Sequence, residues 1–414
     1  MAQTGGLPAH GRRSAAAVAS VPPAFTFIHL SVYWAWLDSG GMAFCQPRGD
    51  RVGAEPRRSS VRGENVSGYL AEIGARYGTD MWCDSPNPPD LGRMVGLGAV
   101  GATCNPVIVL RTVQASAERW RGEIASCKAE GGPPNWAMTR RVVREAAAIL
   151  EPVFNATGGR KGVISIEVDP RLWDDAPAMV EQAREAHAVA PNISVKIPVT
   201  KSGLIAIEEL AAEGINCTAT VSFSVPQVVA IAEAFRRGKA RAEAAGKIKP
   251  GRPLHSFAVL MVGRLDDHLR DVVKEQGLDV RPELMTYAGN AVAKKAYGIY
   301  RKRGYESRLL IAALRGNYHI EQFIGGDLII TMPPANELAF GEHVGQQVPP
   351  PRIDEPVPTA IVDELGERFA DFRRAYLEDG MQTEEFDTFG PTVKTLNQFI
   401  GGWEGLIDFV GAGS

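Results

Sequence analysis

The chain has 414 residues, 45% of them hydrophobic and 22% charged, with 45 Lys and Arg against 48 Asp and Glu. That length accommodates two or three ordinary domains, or one large α/β barrel with additions. The composition excludes collagen, coiled coil and wholesale disorder, and the near-balanced charge argues against a dedicated nucleic-acid or anionic-membrane protein.

Residues 1–66 read as an N-terminal extension and linker, poorly ordered. Their longest apolar stretch, VPPAFTFIHLSVYWAWL at 21–37, contains Pro22, Pro23 and His29 and falls short of a membrane span. Arg12 and Arg13 followed by SAAAVAS hint at an export signal, but the small residues precede the apolar run instead of closing it. Residues 47–65 are polar and rich in Arg and Gly, as linkers are. Cys45, Cys83, Cys104, Cys127 and Cys217 are odd in number and form no CxxC pair. Reduced thiols in a cytoplasmic protein fit that usage better than a disulfide framework or a zinc site. The Asn-x-Ser/Thr sequons at Asn65, Asn155, Asn192 and Asn216 are accordingly read as accidental.

From about Ser67 short apolar runs alternate with helical patterns. The predicted strands are Met81–Asp84, Gly101–Asn105, Gly162–Val168, Ile193–Ile197, Ile215–Phe223, Phe257–Val262, Leu309–Ala313 and Leu328–Thr331. Several are continuous Val/Ile runs, which suits parallel strands buried on both faces. Helices are predicted over Ala176–Val189, Lys201–Glu213, Val225–Arg237 and Pro282–Arg303; Ser224 and Pro226 suit the start of the third. About eight βα units predict an α/β fold, a (β/α)8 TIM barrel over residues 67–340. The runner-up, an open doubly wound sheet, wants a glycine-rich loop between strand and helix. Gly96–Gly101 has GxGxxG spacing but precedes a strand and opens no helix. Residues 341–414 add a proline-rich connector and two amphipathic C-terminal helices, Ala360–Glu378 and Thr392–Val410. Their aromatic stripe (Phe369, Phe372, Tyr376; Phe399, Trp403, Leu406) is expected to pack on the barrel, with the option of covering its catalytic face.

A barrel carries its working residues at the C-terminal ends of its strands. Those ends supply Asp84 in MWCDSPN, Asn105 in GATCNP, Glu167 in GVISIEVDP, Lys196 in ISVKIP and Thr220 in GINCTATVSFS. Arg264 follows the sixth strand, and Arg315 and Asn317 follow the seventh. A lysine inside a short apolar strand must reach water or lose its proton. Burial disfavours the ammonium and yields an amine able to attack a carbonyl. An ion pair at the strand end is the bland alternative. Glu167 and Asp84 are each as well suited to structure as to catalysis, but together with Lys196 they point to amine catalysis assisted by carboxylates. The seven histidines form no HExxH pair and no EF-hand loop is present, so no metal is expected.

GVISIEVDPRL, followed by NISVKIPVTKSGLIAIEELAAEGINCTATVSFS, resembles transaldolase, and MWCDSPN and TCNPVIV are similar to that family's first two strand ends. The resemblance covers about Ser67 to the C-terminus and is strongest between Gly162 and Arg237. It implies Lys196 as the Schiff-base lysine and Asp84 as acid and base at the substrate C4 hydroxyl. It implies Glu167 and Thr220 as the pair handling water and protons, and Asn105 as a holder of the dihydroxyacetone part. It also places Arg264 and Arg315 at the sugar phosphate, with Asn317 and Thr218 among the substrate-binding positions. No cofactor is implied. The partners implied are sugar phosphates, with no nucleic acid and no membrane, and with room for a homo-oligomer. Three positions depart from the family. Thr218 stands where it has asparagine, and Val259 and Met261 stand where it has a serine and an aromatic. The first reading is therefore a transaldolase of the pentose phosphate pathway type. The second keeps the chemistry with an unusual aldose phosphate acceptor, in secondary-metabolite sugar biosynthesis. The third, from another class, is a weakly catalytic barrel serving as a partner-binding subunit.

Overall fold

In the computed structural model, residues 68–248 and 250–412 are described. The extension, its apolar run and its signal-like segment lie outside the described residues. Eight strands follow: β1 (Asp80–Cys83), β2 (Gly101–Ala102), β3 (Val163–Glu167), β4 (Ile193–Pro198), β5 (Cys217–Thr220), β6 (Ser256–Met261), β7 (Arg308–Ala312) and β8 (Ile329–Met332). Each pairs in parallel with the next, and β8 pairs with β1 to close the barrel. The (β/α)8 barrel expected from the sequence is the observed fold.

Helix starts between the strands carry the caps their sequences offer. Ser224, Asp175 and Thr200 each accept a hydrogen bond from a first-turn backbone N–H of the helix they precede. These helices cover the outside of the barrel, so strand residues are buried on both faces, as their continuous apolar runs required. Trp82 on β1 meets Phe257 on β6 edge-on with ring centroids 4.9 Å apart. Those strands are not neighbours, so both rings project into the barrel. By alternation Asp84 and Val259, two residues further on, follow on the same face.

Several predicted boundaries are corrected. β2 ends at Ala102, not Asn105, because the chain leaves the ladder to form the cap of helix Pro106–Ala115. β5 ends at Thr220, not Phe223, because Val221 turns into the left-handed region at φ 57°. The predicted helix Pro282–Arg303 is a 3₁₀ segment over Pro282–Tyr287 and an α-helix only from Ala288. The predicted helix Ala360–Glu378 is two helices, Thr359–Arg368 and Ala370–Tyr376, separated by extended backbone at Phe369. The last helix, Gly390–Ala412, runs two residues beyond each predicted end. No helix among the described residues is long and apolar enough to cross a membrane.

The two mouths of the barrel differ. At the N-terminal mouth Asp80, buried at the start of β1, accepts from Lys161 Nζ and Arg308 Nη1, each at 2.7 Å, and Arg308 also reaches Asp327 at 3.0 Å. A buried carboxylate held by two cations ties the starts of β1, β3 and β7 together. Replacing it takes the buried partner from both cations and leaves Arg308 with the exposed Asp327. Asp80→Asn is expected to destabilise the fold by about 1–3 kcal/mol, measured by urea unfolding, while the folded fraction keeps its catalytic constants. An unchanged midpoint would show that the cluster is no tie.

Candidate active site at the C-terminal mouth

The opposite mouth gathers the ionisable residues singled out in the sequence. The register pairs Glu167 of β3 with Lys196 of β4, and Lys196 with Thr218 of β5. Lys196 is 5% exposed and Glu167 3%. Lys196 Nζ lies 3.3 Å from Glu167 Oε2 and donates to the Cys104 carbonyl at 2.9 Å. Nζ thus has both a carboxylate and a carbonyl beside it, the ion pair that the sequence reading kept as its alternative. Burial pushes the Glu167 carboxyl up to about 7, against the pull of Lys196. Glu167 is therefore poised to take up and release a proton near neutral pH.

Asp84 continues β1 and sits half-buried at the same mouth. Thr103 Oγ1 donates to Asp84 Oδ1 at 2.6 Å. Its own oxygen lies 2.6 Å from Thr331 Oγ1, so with its proton committed it accepts from Thr331. Burial also raises the Asp84 carboxyl above its ordinary range, while the Lys196 and Arg264 charges and the Thr103 bond lower it. Two carboxyls thus flank one amine. Burial pushes the nearby Cys104 thiol up to about 12, which leaves it protonated and a poor competing nucleophile.

Thr220, wholly buried at the end of β5, has no hydrogen-bond partner for Oγ1 among the described residues. The chain turns sharply beyond it. A β-branched residue in the left-handed region, as Val221 is, costs about 1–3 kcal/mol. Buried Gln227 holds the turn: its amide donates to the Val221 carbonyl at 3.2 Å, and Phe223 N donates to its Oε1 at 3.0 Å.

The remaining candidates occupy the same rim with different partners. Asn105 caps helix Pro106–Ala115, its Oδ1 accepting from Ile108 N at 3.0 Å. Thr218 is buried, its hydroxyl 2.8 Å from that of Ser194, and so is engaged within the barrel wall. Arg264 lies near the start of helix Val262–Gln276. Arg315 follows β7 and forms a two-point bond to Asp267 Oδ2, through Nε at 3.0 Å and Nη2 at 2.6 Å. Asn317 opens the short helix Asn317–Glu321. Among the described residues no group of three or more His, Cys, Asp or Glu could hold a metal ion.

Two contributors were not singled out beforehand. Thr103 shares the inward alternation of GATCNP with Asn105 and could have been found from it. Phe399 was legible only as part of an aromatic stripe. Its ring, 1% exposed, lies 5.7 Å from Lys196 Nζ, so the C-terminal helix covers this end of the site. The helix reaches that far because Gly402 seats it on Pro106–Ala115. A Cβ at Gly402 would come within 2.6 Å of Val107 Cγ2 and 2.8 Å of its backbone N.

The family model for Transaldolase/Fructose-6-phosphate aldolase matches residues 81–388. A protein of Streptomyces avermitilis named Transaldolase 1 is 38% identical over 269 residues, which is 59% of this chain and 70% of that relative. Transaldolase 1 of Streptomyces coelicolor is 32% identical over 309 residues, 67% of this chain and 80% of the relative. A transaldolase of Frankia alni is 29% identical over 370 residues, 81% of this chain and 98% of the relative.

Phe399→Ala removes a buried ring from the wall beside Nζ. It is expected to cost about 3–5 kcal/mol of stability in urea unfolding, with Phe399→Leu recovering most of it. A loss below about 1 kcal/mol for the alanine variant, typical of a surface change, would mean that this helix does not seal the mouth.

Proposed function

We propose that this chain, which belongs to the transaldolase/fructose-6-phosphate aldolase family, transfers a dihydroxyacetone unit from a ketose phosphate to an aldose phosphate through an imine on Lys196. Its relatives are named transaldolase, and it is an enzyme of the transferase class. The observation that carries the reading is the buried contact of Lys196 Nζ with Glu167 Oε2 at 3.3 Å, at the end of the barrel that also holds Asp84.

The steps follow from these groups. The Lys196 amine attacks the ketone carbon of the donor, after passing a proton to Glu167, whose raised pKa makes it an acceptor that can return it. The carbinolamine loses its hydroxyl as water. Glu167, ion-paired to Lys196 through Oε2, and Thr220 Oγ1, which has no hydrogen-bond partner among the described residues, are suited to protonate that hydroxyl and hold the departing water. Asp84 takes the C4 hydroxyl proton, the C3–C4 bond breaks, and its electron pair moves into the protonated imine to give an enamine. The aldose phosphate leaves. The enamine then adds to the carbonyl of the acceptor by the reverse sequence. Phe399 and the burial of the mouth keep water from protonating the enamine. Arg264 and Arg315 are suited to the phosphate by their fork of donors. Asn105 is suited to the donor's hydroxyls, with Asn317 and Thr218 less directly placed. A pentose phosphate role in the cytoplasm accords with this substrate class.

A second reading keeps these steps and alters the acceptor. Val259 and Met261 remove a hydroxyl and an aromatic ring from the strand that precedes Arg264, which leaves the Lys196 chemistry intact but changes the acceptor end. A panel of aldose phosphates decides between the readings. A wide preference for erythrose 4-phosphate favours the ordinary transaldolase, and a preference for a longer or modified aldose favours the second reading.

Borohydride reduction with fructose 6-phosphate present is expected to leave a three-carbon adduct on Lys196, read by peptide mass spectrometry. Asp84→Asn, which forms the imine but does not cleave it, is expected to trap the intact six-carbon sugar there, with kcat lowered about 10²- to 10⁴-fold. Absence of any adduct on Lys196 would overturn the reading. A three-carbon adduct in Asp84→Asn would move the C4 role elsewhere.

A further inference from the structure

Behind the rim, on the side of Arg264 and Arg315, lies a buried ionisable pair that the proposed chemistry does not use. His319 and Asp266 are both fully buried, with His319 Nε2 2.9 Å from Asp266 Oδ2. The ring's other nitrogen accepts the backbone N–H of Arg315 at 3.0 Å. A nitrogen that accepts from an amide carries no proton, so the ring is neutral and Nε2–H donates to the carboxylate. The second oxygen of Asp266 accepts from Gly289 N at 2.9 Å. Each of these four polar atoms therefore has a partner, and none needs a substrate to satisfy it.

The placement of the pair is what gives it a function. Asp266 stands two residues after Arg264 on helix Val262–Gln276, and the next residue, Asp267, holds the Arg315 guanidinium. His319 belongs to the short helix after β7 and holds the Arg315 backbone. The loop so held is under strain, since Ala313 has φ 58°. It also packs tightly on Gly263, where a Cβ would come within 2.2 Å of the Ala313 carbonyl and 2.7 Å of Arg315 Cγ. One backbone and one side chain of Arg315 are thus fixed to the helix that carries Arg264.

We propose that the His319–Asp266 pair is a clamp that sets the spacing of the Arg264 and Arg315 guanidiniums, and so the enzyme's preference for phosphorylated over unphosphorylated aldoses. His319 is here a positioning residue; it touches the arginine loop and not the substrate. This rests on the proposed role of the two arginines at the phosphate.

The test compares glyceraldehyde 3-phosphate with glyceraldehyde as acceptors, donor saturating, in the wild type and in His319→Phe, His319→Gln and Arg315→Met. In a two-step transfer kcat/KM for the acceptor reports the second half-reaction alone. His319→Phe is expected to lower kcat/KM for the phosphorylated acceptor about 10-fold or more, mostly through KM, and to leave glyceraldehyde within about twofold, as a misplaced binding group does. His319→Gln, which can accept from Arg315 N and donate to Asp266, is expected to restore most of the preference. If His319→Phe does not fold, the double variant His319→Phe with Asp266→Leu removes the buried carboxylate as well and is expected to show the same loss. Equal losses on both acceptors, or no loss on either, would overturn the clamp. An unchanged preference in Arg315→Met would overturn the phosphate assignment beneath it, and the two failures are told apart by that variant.

Discussion

A carboxylate and an amine buried side by side are expensive, and the rest of this molecule is arranged around that expense. Each ion alone would face a penalty of several kcal/mol on leaving water. Glu167 and Lys196 stand on adjacent strands in register, so each is the other's nearest relief. The relief is incomplete, since burial still lifts the Glu167 carboxyl well above its ordinary range. A carboxyl so raised is a better proton acceptor than an ordinary carboxylate, which is what a base beside the amine needs.

The barrel imposes this arrangement by geometry. Parallel closure puts every strand's C-terminal end at one mouth, and alternation sends Asp84, Thr103, Glu167 and Lys196 to the same inner face. The other mouth carries the Asp80 ion cluster, which ties three strand starts together. The C-terminal helix completes the enclosure. Its glycine contact with helix Pro106–Ala115 lets Phe399 approach Nζ, so a segment distant in sequence supplies the apolar wall. Of the non-glycine residues in the left-handed region among the described residues, Val221 and Ala313 stand just beyond strand ends, each beside a candidate substrate position.

Much of this was legible in the sequence, for reasons that can be named. Strands buried on both faces need continuous apolar runs, so ISVKIP and GVISIE declared themselves, and a charged residue within each stood out. All eight strands lie where those runs are. Their ends were less legible, because they depend on a cap at Asn105 and a left-handed turn at Val221 that follow from neighbours across the fold. Several helices, among them Tyr69–Tyr77, Pro88–Gly96 and the long Pro134–Ala156, lie outside the predicted set. The break at Phe369 was hidden because its aromatic spacing continues across it. Phe399 could be read as core, which it is, but nothing local to it says that Lys196 lies opposite. The buried pair of Asp266 and His319 was equally silent, since two polar residues 53 positions apart carry no pattern.

The account's central claim is that Glu167 shares its proton with Lys196 inside an enclosed mouth. Isotope-edited infrared titration of glutamate-labelled protein tests it directly, with Glu167→Gln identifying the band. The expected result is a carboxyl titrating at about 7 in the wild type and higher still in Lys196→Met, where the neighbouring charge that lowers it is gone. A Glu167 carboxylate already ionised in the ordinary range near 4, and indifferent to Lys196→Met, would contradict it.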